Sequence, residues 1–224
     1  MTLNSNTFEK KMNFTDLTQL IHSGMTVYPG KPQPVLIQSA EIENEGYREL
    51  TLGFDGHTGT HMDSPAHMLH DGKTLGQYPV SHFQGEAVVI PVPEGTKIIG
   101  LSMLEPFRKE IASCEYVLLV TGWSKYWGTG AYLTGFPVLS EEAARWLVSF
   151  DLKGIGIDAN SVDPSDSEDW PVHHIFFKAG RVIVENLKFP QDLKACVCSF
   201  ISLPLLIDRS DGAPARAVAL FYGE

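Results

Sequence analysis

Cysteine is scarce in this chain: Cys114, Cys196 and Cys198 are the 3 thiols in 224 residues. An odd number cannot all pair, and Cys196 with Cys198 alone make too few ligands for a zinc knuckle. A disulfide-stapled secreted fold and a cysteine-type structural zinc site are therefore both disfavoured. Reduced core thiols in a cytoplasmic protein are expected instead. Long apolar runs are missing as well. No window is long and apolar enough to span a bilayer, and Met1 to Phe14 is polar with mixed charge, without the apolar stretch of a secretory leader. Positive charge is the third shortage: 17 Lys and Arg stand against 27 Asp and Glu, for a net charge of -10. Phosphate binding needs clustered cations, so nucleic acid and anionic membrane are poor partners and a small-molecule substrate is favoured.

What the chain does have is apolar material for one core, 43% of its residues, over a length that suits a single domain taken as 1–224. Gly and Pro punctuate it at short intervals, and no internal repeat is visible. Short β-branched or apolar runs predict strands at 87–92, 116–121, 154–158, 181–185, 198–203 and 217–222. Most are apolar throughout, as central strands are. One helix is predicted over 101–112. A second follows Ser140, a suitable N-cap, with Glu141 and Glu142 in the first turn and Ala143, Trp146, Leu147 and Phe150 at helical spacing. Strands alternating with a few helices make an α/β domain with a mixed sheet. Up to Gly53 the signals are weaker, and that region reads as an arm or as core equally well.

Chemistry concentrates between His57 and His67, where His-Thr-Gly-Thr-His-Met-Asp-Ser-Pro-Ala-His packs three imidazoles and a carboxylate together. These are ligands that borderline divalent ions accept. Neither regular structure brings His57, His61 and Asp63 onto one ion. In a helix Asp63 faces away from the two histidines. In a strand His57 and His61 lie roughly 13 Å apart, too far to chelate. The backbone must turn between them, and Gly59 can take the unusual φ this needs, while Pro65 stops a helix or central strand from running on. The expected arrangement is a strand entering near Gly53, a bend at Gly59-Thr60, and a loop aiming His61 and Asp63 at the metal. His67 need not be a ligand, since an imidazole beside an activated water can carry its proton.

A weaker cluster lies downstream in Asp158, Asp163, His173-His174 and Glu185-Asn186. The two aspartates suit turns or caps, and one of the two histidines is free to be exposed. If one His and Glu185 reach the first cluster, there are ligands enough for two bridged ions. Trp123, Tyr126 and Trp127 are readable either as pocket wall or as core, core being the commoner fate of such clusters.

The eleven residues match the HxGTHxDxPxH motif, and the chain thereby resembles the cyclase-like metal-dependent hydrolases, a family that includes bacterial kynurenine formamidase and isatin hydrolase. The resemblance extends through Thr121-Gly122-Trp123, 156–163, 173–186 and Asp211-Gly212-Ala213-Pro214-Ala215-Arg216-Ala217. It implies a swivelling β/β/α-type domain in which His57, His61 and Asp63 bind one ion and Asp63 bridges to a second. The family's interval between the distal histidine and its carboxylate selects His173 with Glu185, and an acid at that position, where the isatin hydrolase branch carries Gln, favours two ions, Zn2+ or Mn2+. His67 becomes the catalytic acid/base. The resemblance further implies homodimers or homotetramers, with N-terminal segments (here 1–50) reaching neighbouring sites.

The implied reaction is hydrolysis of a small amide by metal-activated water, with N-formylkynurenine, cleaved to kynurenine and formate, as the leading substrate. Isatin-like lactams and lactones are the alternatives within the family, and a non-catalytic metal-binding or ligand-binding protein is the alternative outside it. One departure bears on the substrate. The formamidases place a stacking Trp before a Pro-Gly-Asp turn, whereas this chain has Tyr28-Pro29-Gly30-Lys31. Tyr28 can still stack on a ring, and the exchange of acid for Lys31 points to a different or more anionic ligand.

Overall fold

A computed structural model describes residues 12–222; residues 1–11, with most of the stretch read for a secretory leader and part of the expected arm, lie outside that range. In chain order the strands are β1 Met12–Asp16, β2 Val35–Ala40, β3 Glu49–Gly53, β4 His61–Asp63, β5 Gln84–Pro91, β6 Ile98–Ile99, β7 Tyr116–Val120, β8 Val138–Leu139, β9 Gly154–Ile157, β10 Val182–Glu185, β11 Cys196–Pro204 and β12 Gly212–Tyr222. The helices are α1 Ile42–Glu45, α2 Leu101–Leu104, α3 Arg108–Ser113, α4 Glu141–Leu147 and α5 Pro171–Lys178. All six predicted strands are present, and the sheet is mixed as expected for an α/β chain. β5, β7, β9 and β10 run parallel, and the other pairs of the main sheet are antiparallel.

The sheet goes beyond a simple mixed sheet. β12, β11, β5, β7, β9, β10 and β4 pair in that order, and β4 returns to β12, closing a seven-stranded barrel to which β1 adds outside. Strand alternation then sorts side chains into two cores. Ala87, Val89, Leu118, Val184, Phe200, Ala213, Ala217 and Ala219 fill the barrel. Val88, Ile90, Val117, Leu119, Ile155, Ile157 and Ile183 face outward and pack under the helices through Leu104, Ile111, Leu147 and Phe176. The many alanines inside reflect how little room seven strands leave.

The predicted helix after Ser140 forms as α4, with Ser140 Oγ accepting from the Ala143 N–H at 3.1 Å. The predicted helix over 101–112 is broken. Pro106 has no N–H to give to the preceding turn, so α2 and α3 are separated by a 3-10 turn at Glu105–Phe107. The N-terminal region divides its character. β1 pairs with β12, and Leu17 and Met25 are buried against the body. The hairpin of β2 and β3 pairs only with itself, and β3 is exposed along its whole length. All three cysteines are free thiols. No described helix is long and apolar enough to cross a membrane.

Candidate active site

The backbone does bend at Gly59, whose φ is +66, but the bend leads into a strand and not into the expected loop. β4 is only three residues long, yet it is hydrogen-bonded on both edges. Glu185 of β10 stands opposite His61 on one side, and Gly212 of β12 stands opposite Asp63 on the other. Long-range pairing supplies what the local sequence could not. Two-residue alternation then sends Met62 into the barrel and turns His61 and Asp63 together to the outer face, beside Glu185. The bend carries His57 back, so that its Nδ1 lies 2.6 Å from Asp63 Oδ1. Pro65 ends the strand and opens a 3-10 turn, Pro65–His67, that sets His67 against His57 with ring centroids 4.0 Å apart.

α5, which has no clear signal in the sequence, delivers the distal histidine. Asp163 starts it, accepting from the backbone N–H groups of Val172 at 3.0 Å and His173 at 2.9 Å. The same carboxylate takes His173 Nδ1 at 2.6 Å, which fixes that ring and turns Nε2 toward Glu185 Oε1 at 3.3 Å and Asp63 Oδ2 at 3.9 Å. His61 is oriented likewise. Its Nδ1 meets the Gly59 carbonyl at 2.9 Å, leaving Nε2 3.2 Å from Asp63 Oδ1 and 3.5 Å from Glu185 Oε2. Histidines held from behind in this way are the usual preparation for a metal ligand.

Two donor groups result, His57 with His61 and Asp63, and Asp63 with His173 and Glu185, sharing the Asp63 carboxylate. All but His57 are buried. Burial disfavours charge on His57, His61, Asp63 and His173, yet opposite charges outweigh it. Asp63 and Asp211 raise the His57 pKa to about 9 against the pull of burial, and contacts with Asp163 and Glu185 likewise raise that of His173 to about 10. Asp63, though buried, is held well below the ordinary carboxylate range by His61 and His57. This is a pocket whose field favours a cation. Protons on the imidazoles satisfy it in part, and a divalent ion would displace them. Glu185 Oε1 is buried and accepts no well-formed hydrogen bond, its nearest partner being His173 Nε2 at 3.3 Å, so a cation there would satisfy it more fully. The donor set therefore fits a divalent metal.

His67 lies outside the two groups that share Asp63, but with His57 and Asp211 it makes a third, less buried set of atoms close enough to hold an ion. Burial lowers its pKa, so the ring favours the neutral form that can accept a proton. Its Nδ1 lies 3.1 Å from Asp211 Oδ2, and the same oxygen meets His57 Nε2 at 3.0 Å. The site opens into a cavity of about 530 Å3 whose lining includes Tyr28, Lys31, Asp55, Trp127, Trp170 and His174. Tyr28 is thus in reach of a ligand. Lys31 Nζ sits 3.8 Å from Asp55 Oδ2. His174, one step further round α5 than His173, also lines the cavity but belongs to neither donor group. Of the three aromatics with two open readings, Trp127 is pocket wall, Trp123 packs on the outer core, and Tyr126 leans on Trp123 at a 60° tilt with centroids 4.7 Å apart. Asp158 is a turn residue, accepting from Thr121 N and Oγ1 at 2.8 and 2.6 Å.

Sequence reasoning assigned no role to Asp211, Asn186 or Trp170. Asn186 Nδ2 donates to the Gly59 carbonyl at 2.9 Å and so braces the bend. Trp170 adopts φ 46, a left-handed conformation costing a non-glycine residue about 1–3 kcal/mol, at the turn into α5. The only available signal for Asp211 was its place in the segment shared with the family.

The Cyclase family profile matches residues 15–164. Kynurenine formamidase of Bacillus mycoides (strain KBAB4) is 32% identical over 212 residues, spanning 93% of this chain and 98% of the relative. That of Bacillus anthracis is 30% identical, with the same coverage. Among solved structures, one described as a potential metal-dependent hydrolase with cyclase activity superposes with a TM-score of 0.80 at 28% identity, over 95% of this chain and 99% of the other. Isatin hydrolase A from Labrenzia aggregata superposes with a TM-score of 0.83 at 23% identity, over 95% and 94%, a likeness of fold.

Proposed function

This chain belongs to the Cyclase family, and from that premise we propose that it is a metal-dependent amide hydrolase with N-formylkynurenine, or a closely similar aryl formamide, as substrate. The observation that carries the reading is the convergence of His57 from the bend, His61 and Asp63 from β4, His173 from α5 and Glu185 from β10 on two donor groups that share Asp63. In this reading His57, His61 and Asp63 hold one ion, Asp63, His173 and Glu185 hold a second, and the ions are Zn2+ or Mn2+. When bound, such ions supply Lewis acidity, activating water at neutral pH and polarising a carbonyl.

The chain's own residues do the rest. Tyr28, Trp127 and Trp170 offer aromatic faces to the substrate ring in a cavity large enough for it. His67 takes a proton from the attacking water and returns it to the leaving nitrogen as the C–N bond breaks, releasing formate and the free amine. A placed acid/base of this kind is worth roughly 10²–10⁴-fold in rate. Asp163 and the Gly59 carbonyl keep two of the imidazoles aimed throughout. We further read the protein as a cytoplasmic homodimer or homotetramer. The hairpin of β2 and β3 exposes Val35, Ile37, Leu50 and Leu52, a surface that a second copy would cover.

The test is metal analysis of the purified protein, followed by parallel assays on N-formylkynurenine, isatin and a dienelactone with and without chelator. Chelator-sensitive deformylation is the expected result. Ring opening of isatin or the lactone alone would move the substrate within the family. Metal-free protein with no turnover of any of the three would overturn the reading. Light scattering checks the assembly.

A further inference from the structure

Asp211 lies in neither of the two donor groups that share Asp63, yet one of its oxygens faces two imidazoles with different tasks. Asp211 Oδ2 is 3.0 Å from His57 Nε2 and 3.1 Å from His67 Nδ1, and the two rings lie against each other, tilted by 37°, with centroids 4.0 Å apart. A carboxylate only accepts, so both nitrogens must present their N–H to it. His57 meets a second carboxylate, Asp63, at Nδ1 and so carries a proton on both nitrogens without a metal; Nδ1 is the one that an ion beside Asp63 would take, while Nε2–H stays on Asp211. For His67 the bond to Asp211 leaves Nε2 without the proton, which is the form a base needs.

The carboxylate is itself firmly mounted. The Asp211 carbonyl accepts from both the N–H and the Oγ of Ser64, each at 2.8 Å, which ties the segment to the residue next after Asp63. Gly212, its neighbour, has no side chain because one would strike His57: a Cβ there would lie 2.4 Å from the ring. The backbone therefore approaches the imidazole as closely as it can, with Asp211 placed at the ring's far nitrogen.

We infer that Asp211 is a positioning residue that sets the tautomer of His67 and, with the same oxygen, holds the Nε2–H of His57, coupling the first metal ligand to the acid/base. The inference rests on the reading of His67 as the proton carrier, and it adds a role for a residue that does not itself touch the reacting atoms. Its logic is that of a carboxylate behind a catalytic histidine, here half exposed and shared by two rings.

The experiment is nitrogen-detected NMR of the imidazoles in the metal-free protein, alongside Zn2+ titration against a chromophoric chelator and steady-state assays. In the native chain His67 carries its proton on Nδ1, and in Asp211→Ala it moves to Nε2. Zn2+ affinity falls about 10–100-fold, and kcat falls by a similar factor with little change in KM. The side chain is half exposed and the Ser64 bonds are to its backbone, so truncation spares the fold. Asp211→Ser, too short to reach either ring, gives the same answer if the alanine variant is poorly behaved. An unchanged His67 tautomer would overturn the inference. So would loss of a whole equivalent of bound metal with the tautomer intact, which would make Asp211 a ligand. Because the tautomer is read without substrate or metal, it stands or falls separately from the amide hydrolase assignment.

Discussion

Asp163 is the residue on which fold and site depend jointly, and truncating it gives a worked prediction. It is fully buried and holds three donors: the N–H groups of Val172 and His173 and the Nδ1 of His173. Asp163→Ala strands all three. At about 1–3 kcal/mol for each buried donor left unpaired, and allowing for water entering the space, the loss is about 3–5 kcal/mol. In a chain of this size each kcal/mol lowers Tm by about 2–4 °C, so thermal unfolding of the metal-free protein should begin about 10 °C lower. Metal affinity should fall about 10–100-fold, since His173 loses its orientation. Asp163→Asn is the milder change. Oδ2 holds both His173 donors, so an amide oxygen in that place keeps the His173 N–H and Nδ1 and sets the amide N–H only against the N–H of Val172. The asparagine variant should therefore recover most of the metal affinity and only part of the stability. Burial pushes the Asp163 carboxyl up, but His173 and the two backbone donors hold its pKa below the ordinary range. Its contribution is accordingly complete above the ordinary carboxylate pKa and is lost as pH falls through the lowered value, so parent and alanine variant should converge in acid. Calorimetry and metal titration check both halves. A Tm within about 2 °C of the parent, with metal affinity unchanged, would refute the account of how α5 is started and aimed.

Three further outcomes are expected. Gly212→Ala places a Cβ 2.4 Å from the His57 ring, with β12 and β4 paired too tightly to yield, and should cost about 1–3 kcal/mol of stability together with metal affinity; differential scanning fluorimetry and metal analysis read the two. His67→Ala should retain metal and lose roughly 10²–10⁴ in kcat, whereas Asp63→Ala should lose metal outright, a contrast that metal analysis and steady-state kinetics would display. His82, far from the site, has a pKa pushed down to about 4 by burial and by Lys153 and its neighbouring cations. The unfolded chain takes up this proton near 6.5 and the fold resists until about 4, so stability is full above 6.5 and drops as pH falls across that interval. Urea unfolding at stepped pH should show the dependence, reduced in His82→Gln.

The strands were legible because β5, β7, β9 and β10 are apolar runs buried on both faces, a pattern that needs no tertiary information. α4 was legible from Ser140 and the acids after it. β4 was not, since three residues have no period and this strand exists only because β10 and β12 flank it. α5 escaped because it is two turns long, begins on a strained Trp170 and takes its cap from a residue well upstream. The same division runs through the site. His57, His61, Asp63 and His67 crowd one short segment and stand out by themselves; His173 and Glu185 are singled out only through the interval that the family resemblance supplies. Asp163 was correctly read as a capping type, but that it caps α5 and grips His173 depends on the fold. Asp211, 154 positions from His57, had no local signal at all.

The closed barrel has a consequence for the order in which this molecule can come to exist. β4 lies in the first third of the chain, while both of its hydrogen-bonding partners come late, and β12 is the final strand described. On a ribosome, the segment bearing His57, His61 and Asp63 emerges long before the strands that hold it in shape. Pairings this distant in sequence form slowly. Nascent chains should pass through a period in which the motif is present as sequence and absent as a site, with its imidazoles and carboxylates still free to take different ions. A chain cut before residue 212 would keep the whole motif, and should still lack the rigid arrangement of donors that β12 completes.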